Sequence, residues 1–487
     1  KFELMARATR DRLLMAPVYT IADLVKDPHL AAREYWETVD GRLTPGPFAR
    51  LSATPLQQAA AAPKLGEHNH LLDSLAPRRT PPAITGAPRN QPFKGLKVAD
   101  FAWVGVGPIT SKALADHGAT VVHIESSTRP DTLRTLPPYR DNVPGLDRSQ
   151  FFANFNSSKI SLAANLATPE GRAVARRAID WADVVVESFT PGTMADLGLD
   201  YATVSVDHPD LVMVSTCLRG QTGPERTFGG FGGQGAALAG LWSITGWPDR
   251  PPTGPWGAYT DFIAPRYGVS ALASALLHRS RTGEGQHIDL SQVEAGIHFH
   301  EPLVLDYTVN GRLAGPQGHH SERACPHGVY PVRGIERYIA LSVESDDQWR
   351  GLCSLAPLAA FESFDMPARR AQNDALTAAM TAWTADQDGW QLAERLRAAG
   401  VPAYMVLRPS DLYDDPQLAH RGFFVTLDHA EMGPTPYDGP VTHFSATPAI
   451  LSRPAPLLGQ HSQFVLEELL GYSSDEVAAL AAAGALT

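Results

Sequence analysis

The stretch Gly254–Ser291 reads GPWGAYTDFIAPRYGVSALASALLHRSRTGEGQHIDLS and has the pattern of a long helix followed by a buried strand. Pro265 fits the first turn of a helix, where no backbone N–H is needed, and Gly283 is typical of a helix end. Between them, apolar residues recur with helical spacing at Val269, Leu272, Leu276 and Leu277. After the TGEG turn, Ile288 and Leu290 alternate with polar residues, as in a strand. The sequence therefore predicts a helix that begins near Pro265 and a strand after it.

One carboxylate, Asp261, stands just ahead of this predicted helix. Aspartate at such a position is most often an N-cap, whose side-chain oxygen accepts hydrogen bonds from backbone N–H groups. The positive end of the helix dipole also favours an ionised carboxylate, which is the form that a nucleophile needs. The residues alone therefore leave two roles open for Asp261, a helix cap and a nucleophile, and the cap is the commoner one.

The composition of the 487 residues is that of an ordinary globular protein, with 44% hydrophobic and 19% charged residues. The formal net charge of −11 argues against a general nucleic-acid binder, because such a protein needs a dense basic face. Three widely spaced cysteines, Cys217, Cys325 and Cys353, favour a reducing compartment. No apolar run is long enough to span a bilayer, and no secretory leader is recognisable. We therefore expect a cytoplasmic protein that binds neither nucleic acid nor membrane.

Strands and helices alternate after residue 95. The residues predict a strand over Leu96–Trp103, a turn at Gly105–Pro108, a helix over Ile109–His117 and a strand over Thr120–Ile124. Further strands are predicted after Lys159, at Ala182–Glu187 and over Leu211–Cys217. This alternation implies an α/β fold with a doubly wound parallel sheet of the Rossmann-like kind. Strands within Gly328–Ser342 and a helix around Trp349 predict a smaller α+β domain.

The Gly105–Pro108 turn invites comparison with a dinucleotide-binding fingerprint. Its backbone donors would suit a phosphate, and Glu125 ends the next strand as a ribose-binding acid would. The third glycine of the fingerprint is missing, however. A packing role for this turn is at least as well supported.

A long internal repeat divides the chain. Residues Asp23–Arg33 match Asp411–Arg421, and two shorter matches follow downstream of each copy. These shorter matches join Ser52–Pro55 to Ser445–Pro448 and Leu65–His68 to Leu458–His461. Because the interval is single and long, it indicates duplication of a whole module, whereas a solenoid would repeat every ~20–50 residues. We expect the chain to be the C-terminal part of a longer, two-module protein.

The repeat and the composition predict five segments. Residues 1–75 form the tail of a preceding module, and the proline-rich stretch 76–95 forms a linker. A large α/β domain follows over 96–300, then a linker and small domain over 301–405. A C-terminal segment, 406–487, returns to the large domain.

The motifs of this chain resemble those of the family III CoA-transferases, the group of formyl-CoA transferase and carnitine-CoA transferase. The resemblance rests on the order and spacing of three motifs, TGWPDRPP at Thr245–Pro252, ALLHRSRTGEGQHIDLSQVEA at Ala275–Ala295 and ADVVVESFTPG at Ala182–Gly192. It implies the fold of that family and transfer of CoA from an acyl-CoA to a carboxylic acid. It also implies that Asp261 is the acyl-accepting nucleophile, that no permanently bound cofactor is required, and that the partner is a second such module, upstream in cis or in an interlocked homodimer.

By position, the same resemblance assigns CoA contacts to eight residues. They are Gly105, Val106, Phe155, Asn156, Lys159, Ser188, Phe189 and Arg219. Departures from the family pattern leave the acyl group open: Gly105 stands where formyl-CoA transferase has glutamine, Ser188 replaces a familiar asparagine, and Leu218–Pro224 differs from G-F-G-Q-T-G-P.

Other readings of the same residues remain open. A 2-methylacyl-CoA racemase would need two opposed acid/base groups, and Phe231–Gly233 offers none; a non-catalytic CoA- or nucleotide-binding module would use Asp261 only as a cap. The glycines in Gly229–Gly233 either donate to oxyanions or form a flexible loop. The histidine pairs at 298/300 and 319/320 lack the spacing of a metal site, so no metal is expected.

Overall fold

The computed structural model describes residues 1–57, 61–76 and 91–487. Most of the predicted linker, at 77–90, lies outside the described residues. The helices are α1 (Phe2–Arg10), α2 (Ile21–Leu24), α3 (Pro28–Ala32), α4 (Val106–Asp116), α5 (Gln150–Asn156), α6 (Pro169–Trp181), α7 (Thr193–Asp196), α8 (Tyr201–Val204), α9 (Gly232–Leu238), α10 (Thr260–Thr282), α11 (Gln292–Phe299), α12 (Glu301–Asn310), α13 (Asp346–Cys353), α14 (Met366–Ala371), α15 (Asn373–Thr384), α16 (Gly389–Ala398), α17 (Pro416–His420), α18 (Ser462–Phe464) and α19 (Ser474–Ala482).

The strands are β1 (Glu37–Val39), β2 (Arg42–Thr44), β3 (Arg50–Leu51), β4 (Lys97–Phe101), β5 (Thr120–Glu125), β6 (Ile160–Ala163), β7 (Val184–Glu187), β8 (Val212–Cys217), β9 (Gln286–Ser291), β10 (His327–Pro331), β11 (Tyr338–Ser342), β12 (Ala403–Met405), β13 (Phe424–His429) and β14 (Gly433–Asp438). Short 3-10 turns occur at Asn69–Ser74, Thr132–Thr135, Arg140–Asn142, Trp242–Ile244 and Pro409–Asp414, and a π turn at Val465–Leu469.

Seven strands form one sheet in the order β3-β9-β8-β7-β4-β5-β6. All neighbours are parallel except β3, which pairs antiparallel with β9. Because side chains alternate across a strand, Val184 and Val186 face a core shared with Leu272 of α10, whereas Val185 faces a second core shared with Ile179 of α6. Helices therefore cover both faces, which confirms the predicted doubly wound α/β fold.

The chain divides into two compact units. The first contains Lys1–Ile244, Thr253–Ala314 and Gly422–Thr487, and the second contains Thr245–Pro252 and Gly315–Arg421. The first unit extends past the predicted boundary at residue 300 because α12 packs on the β1–β2 hairpin, where the Thr308 hydroxyl donates to the Leu43 carbonyl at 2.9 Å. The second unit extends past residue 405, and a 2.6 Å ion pair joins Arg337 to Asp411 within it.

The second unit is the smaller α+β body that the sequence predicts. Its antiparallel sheet has the order β10-β11-β12. Helices α13, α15 and α16 supply Trp349, Met380 and Leu392 to a core with the sheet residues Ile339 and Leu341.

The N-terminal segment, residues 1–57, is part of the first unit and does not form a separate domain. Its Leu24, Leu30 and Tyr35 are almost wholly buried in a core shared with residues of α9 and α11. Strand β3 adds an edge to the main sheet through the pair Leu51 and Ile288. The segment thus covers the surface on which the apolar residues of a module tail are expected to be buried.

Candidate active site

Helix α10 begins at Thr260, five residues before the predicted start. The prediction is wrong because it used Pro265 as a first-turn residue, whereas Pro265 lies inside the helix. A proline there cannot donate to the carbonyl four residues back, which belongs to Asp261. The turn that precedes α10 is joined to it by a 2.9 Å bond from the Asp261 N–H to the Ala258 carbonyl. Asp261 consequently lies within the first turn of the helix, not ahead of it.

The carboxyl group of Asp261 is clasped between two glycines. A Cβ atom placed on Gly105 would lie 2.7 Å from Asp261 Cγ, and one placed on Gly232 would also lie 2.7 Å from it. The N-cap of α10 is Tyr259, without a side-chain cap bond. The helix-cap role of Asp261 is therefore wrong, and the contacts explain why positions 105 and 232 carry glycine.

Burial dominates the electrostatics of Asp261. The side chain is 7% exposed, and burial raises its pKa to about 7, although a backbone hydrogen bond from Gly232 acts in the opposite direction. Within the described ranges, no lysine, arginine or histidine forms an ion pair with Asp261. Burial therefore shifts the pKa of Asp261 in the direction opposite to that expected from a helix dipole, because removal of water disfavours the charged form.

Asp261 opens into a cavity of 160 Å³ at the carboxyl ends of the parallel strands. This is the edge at which open α/β sheets bind ligands. The cavity is lined by Trp103, Val104, Gly105, Val106, Ser188, Phe189, Thr190, Pro191, Thr216, Cys217, Leu218, Phe228, Gly229, Gly230, Phe231, Asp261 and Gln292. The structure thus brings four of the predicted CoA contacts, Gly105, Val106, Ser188 and Phe189, together with Asp261.

The turn after β7 is fixed to the turn after β4. The Ser188 hydroxyl accepts from Trp103 N–H at 2.8 Å and donates to the Trp103 carbonyl at 3.1 Å. The rings of Phe189 and Trp103 meet edge to face with centroids 5.2 Å apart. Gly105 is the N-cap of α4, so Val106 to Pro108 form the first helical turn and not the loop that the sequence predicts.

Three other predicted contacts have partners inside the protein. Lys159 is fully buried, and its ammonium group donates to Asp100 and to the side-chain oxygen of Asn156, both at 2.8 Å. Arg219 is 1% exposed and pairs with Asp27 at 2.6 Å and with Glu225 at 2.7 Å. These side chains present no free surface to a ligand, so we interpret Asn156, Lys159 and Arg219 as supports of the site.

Phe155, a predicted CoA contact, and Glu125, the ribose-binding alternative, are both buried. Phe155 is buried, and its ring lies 6.1 Å from that of Phe262, the neighbour of Asp261 in α10. Glu125 accepts from Arg134 Nε at 2.9 and 3.0 Å and from Nη2 at 2.7 Å, in a fully enclosed pair. Glu125 is therefore committed to Arg134, and the ribose-binding alternative for it is not supported.

Sequence reasoning misses Thr216, Phe228 and Gln292, which line the cavity. Gln292 directly follows the strand of the quoted stretch, so its position at a strand end was a usable signal. Thr216, next to the end of the predicted strand Leu211–Cys217, carries the same signal, whereas Phe228 carries none, because only the fold brings the glycine loop to Asp261.

A sequence profile for CoA-transferase family III matches residues 1–69 and 93–462. The chain belongs to this family. It is 32% identical over 387 residues to a succinate–glutarate CoA-transferase of Agrobacterium fabrum, across 78% of this chain and 96% of that protein. It is 28% identical to a succinyl-CoA–D-citramalate CoA-transferase of Chloroflexus aurantiacus, across 80% of this chain and 97% of that protein.

Two further matches concern length and fold. A probable CoA-transferase of Mycobacterium tuberculosis, Rv1866, is 32% identical over 414 residues, which are 81% of this chain but 50% of that protein. The crystal structure of a CAIB/BAIF family protein from Brucella suis matches 78% of this chain and all of that one, with a TM-score of 0.72 and 29% identity. The family fold that the sequence predicts is thereby confirmed.

The histidine pairs have structural neighbours. His300 Nε2 lies 2.6 Å from the Ala239 carbonyl, and His298 packs against Phe48 and Tyr267. In the part of the chain that the structure describes, no cluster of three or more histidine, cysteine, aspartate or glutamate side chains is placed to hold a metal ion. Within the same residues, no helix has both the length and the apolar character needed to cross a membrane.

Proposed function

We propose that this protein is a CoA-transferase that moves CoA from an acyl-CoA donor to a carboxylic acid through a covalent intermediate on Asp261. One observation carries the proposal: a buried carboxylate that has no cationic partner among the described residues opens into the cavity at the strand ends. Such a group has a raised pKa and lone pairs that no cation occupies, which are properties of functional carboxylates.

The chemistry follows from what a carboxylate does to a thioester. An oxygen of ionised Asp261 attacks the acyl carbonyl carbon; the C–S bond breaks, CoA leaves as thiolate, and a mixed anhydride forms. The thiolate attacks the aspartyl carbonyl of the anhydride, and the C–O bond breaks to release the donor acid. The aspartyl-CoA thioester then reacts with the acceptor carboxylate through the same two steps in reverse, which restores Asp261 and yields the new acyl-CoA.

We assign CoA contact to Gly105, Val106, Ser188 and Phe189, because these residues line the cavity with Asp261. Backbone N–H groups of Gly229 and Gly230 border the same space and are candidates for stabilising oxyanions. Gly232 already bonds to Asp261, whereas Gly233 does not line the cavity.

The names of the relatives suggest which donor to test first. Those from Agrobacterium fabrum and Chloroflexus aurantiacus carry succinate or succinyl-CoA in their names. We therefore propose succinyl-CoA as the first donor, with a panel of carboxylic acids as acceptors. Racemase chemistry is less well supported, since Asp261 is the sole carboxylate among the described residues that line the cavity, and none of them is a histidine.

Trapping at Asp261 tests the proposal. The protein is incubated with succinyl-CoA and hydroxylamine, digested and analysed by mass spectrometry. We expect a hydroxamate on Asp261, and in the Asp261→Ala variant we expect loss of transfer with CoA affinity largely retained. Turnover of succinyl-CoA by a protein in which Asp261 stays unmodified would refute the assignment. CoA binding without any transfer in the unmodified protein would favour a non-catalytic binding module.

We also propose that a second module of the same family lies upstream in the native protein. Residues 1–75 would be the C-terminal tail of that module. Three observations support this: the long repeat, the separate profile match to residues 1–69, and the half-length match to Rv1866. The intact mass of the protein isolated from its source is the test. A mass that corresponds to the 487 residues alone, together with a homodimer in solution, would replace the fusion by an interlocked dimer.

A cytoplasmic location remains a prediction, in keeping with three free cysteines.

A further inference from the structure

Some polar groups that line the Asp261 cavity have hydrogen-bond partners within the protein, and others do not. The Ser188 hydroxyl is used twice by Trp103, and the Trp103 indole N–H donates to the Ile124 carbonyl at 3.2 Å. Cys217 accepts from the Gln221 amide. Among the described residues, the buried hydroxyl of Thr216 and the amide nitrogen of the half-buried Gln292 are left over, as is the hydroxyl of Thr190, which is exposed to water. Buried polar groups normally have partners, so the Thr216 hydroxyl invites a ligand, and the half-buried Gln292 amide borders the same cavity.

Gln292 is held so that its donor end is the free one. It is the first residue of α11, and its Oε1 accepts from the Thr260 hydroxyl at 3.1 Å. The same hydroxyl lies 3.0 Å from the Gly232 carbonyl, so its single proton is shared between two acceptors. With Oε1 directed to Thr260, Nε2 is the end of the amide left for a ligand.

Thr216 is the next-to-last residue of β8 and is 2% exposed. Its hydroxyl has no hydrogen-bond partner among the residues that the structure describes. A buried hydroxyl left unpaired destabilises the fold, because the hydrogen bonds that it makes to water when exposed are not replaced. Because it borders the same cavity as Gln292, a substrate oxygen placed there would satisfy both.

We propose that Gln292 Nε2 and the Thr216 hydroxyl are catalytic donors that bind the thioester carbonyl oxygen of the acyl-CoA and stabilise the oxyanion formed on it. This inference rests on the proposed function. As an Asp261 oxygen forms its bond to the carbonyl carbon, the C=O pair moves onto the oxygen and is held by the two donors. When that pair returns, the C–S bond breaks and CoA leaves as thiolate. Neither donor loses its proton, and the balance needs no further reactant.

Neutral donors suit this cavity better than a cation would. A lysine or arginine beside Asp261 would stabilise its charge in the ground state, as Lys159 does for Asp100, and would occupy the nucleophile's lone pairs. An amide and a hydroxyl act instead on the oxygen where charge develops. Interactions that strengthen only in the transition state raise kcat, so the two side chains should act on kcat more than on CoA affinity.

The test compares variants that separate donation from packing. Gln292→Glu keeps an acceptor for Thr260 but cannot donate when ionised, whereas Gln292→Met removes both functions. Thr216→Val removes the hydroxyl at constant size, and Thr216→Ser restores it. Transfer is measured with succinyl-CoA and the best acceptor of the panel, above pH 8, and CoA affinity is measured by calorimetry.

We expect both Gln292 variants to lower kcat about 10²-fold, the cost of one oxyanion donor. Thr216→Val should lower kcat about tenfold, and Thr216→Ser should stay within about twofold of the unchanged protein, with CoA affinity nearly constant throughout. Wild-type kcat in Gln292→Glu would overturn the inference, because Gln292 would then serve only Thr260, and wild-type kcat in Thr216→Val would remove Thr216 from it. If Asp261→Ala retains transfer, the proposed function fails first, whatever the Gln292 variants do.

Discussion

Asp100 and Asp261 are both buried carboxylates of the first unit, and their surroundings differ chiefly in the presence of a cation. Asp100, in β4, accepts from the Lys159 ammonium and from the Ser111 hydroxyl, both at 2.8 Å. Asp261 is enclosed by glycine backbone and a small cavity. Burial raises the pKa of Asp100, but Lys159 and a hydrogen bond with His123 more than reverse this and bring it to about 2, whereas the pKa of Asp261 rises to about 7.

This difference in surroundings fits a structural role for Asp100 and a chemical role for Asp261. A carboxylate whose lone pairs are held by an ammonium group is fixed in place and is a poor nucleophile. One that is buried without such a partner is reactive, but its charged form costs folding free energy. Stability and activity therefore place opposite demands on the two sites, which is the usual relation between a scaffold and an active site.

Removal of the cation at the first site should have the largest effect on stability. Lys159→Met leaves Asp100 buried and uncompensated, so we expect the free energy of unfolding to fall by about 3–5 kcal/mol. Chemical denaturation at pH 7 measures it. The control is Lys94→Met, at an exposed position of the same unit, which should change stability by less than about 0.5 kcal/mol. Equal losses in the free energy of unfolding would show that the Asp100–Lys159 pair contributes no more to stability than an exposed lysine does.

Asp261→Asn should have the opposite effect, with a defined pH dependence. Because burial raises the pKa of Asp261 to about 7, above its value of 3.8 in the unfolded chain, the folded protein binds this proton more tightly. The stabilisation that results is complete below pH 3.8 and is lost as the pH rises to 7. The asparagine variant should match the unchanged protein near pH 4 and exceed its stability at pH 8 by at most about 4 kcal/mol.

Thermal unfolding of both proteins between pH 4 and 8 measures this difference. Glu187, whose pKa burial also raises to about 7, is common to both and cancels in the comparison. A constant difference across this range would mean that Asp261 is already ionised at pH 4, which would remove the contrast with Asp100.

Much of the large domain was predictable from residue patterns because its strands are continuous apolar runs. Val184–Val186 reads as a buried strand, and the alternation of such strands with helices specifies a doubly wound sheet. The position of Asp261 near the start of a helix is equally predictable from the sequence. Its family role follows from motifs with fixed order and spacing, which local patterns do not supply.

What could not be read from the sequence depends on contacts between distant residues. The burial of Asp261 comes from Gly105 and Gly232, which reach it only through the fold. The resemblance assigns CoA contact to Lys159 and Arg219, whereas the fold pairs them with Asp100 and Asp27, and these partners cannot be identified from the sequence. The start of α10 is likewise not predictable from the local pattern, because the folded protein accommodates Pro265 inside the helix.

The smallest change that should disturb the position of Asp261, and with it the contrast with Asp100, is a single methyl group at Gly232. A Cβ there would lie 2.7 Å from Asp261 Cγ and 2.8 Å from Oδ1, so Gly232→Ala must displace the carboxylate. A misplacement of about 1 Å costs about 10²-fold in rate, and we expect that loss in kcat for CoA transfer. The control is Gly233→Ala, one residue along the same first turn of α9, where a Cβ meets no atom of the described residues within 4 Å. It should keep near-wild-type kcat, and because alanine favours a helix it should not lower stability. Equal activity in the two variants would show that the carboxylate has room to move, and Asp261 would then be no more tightly positioned than a surface residue.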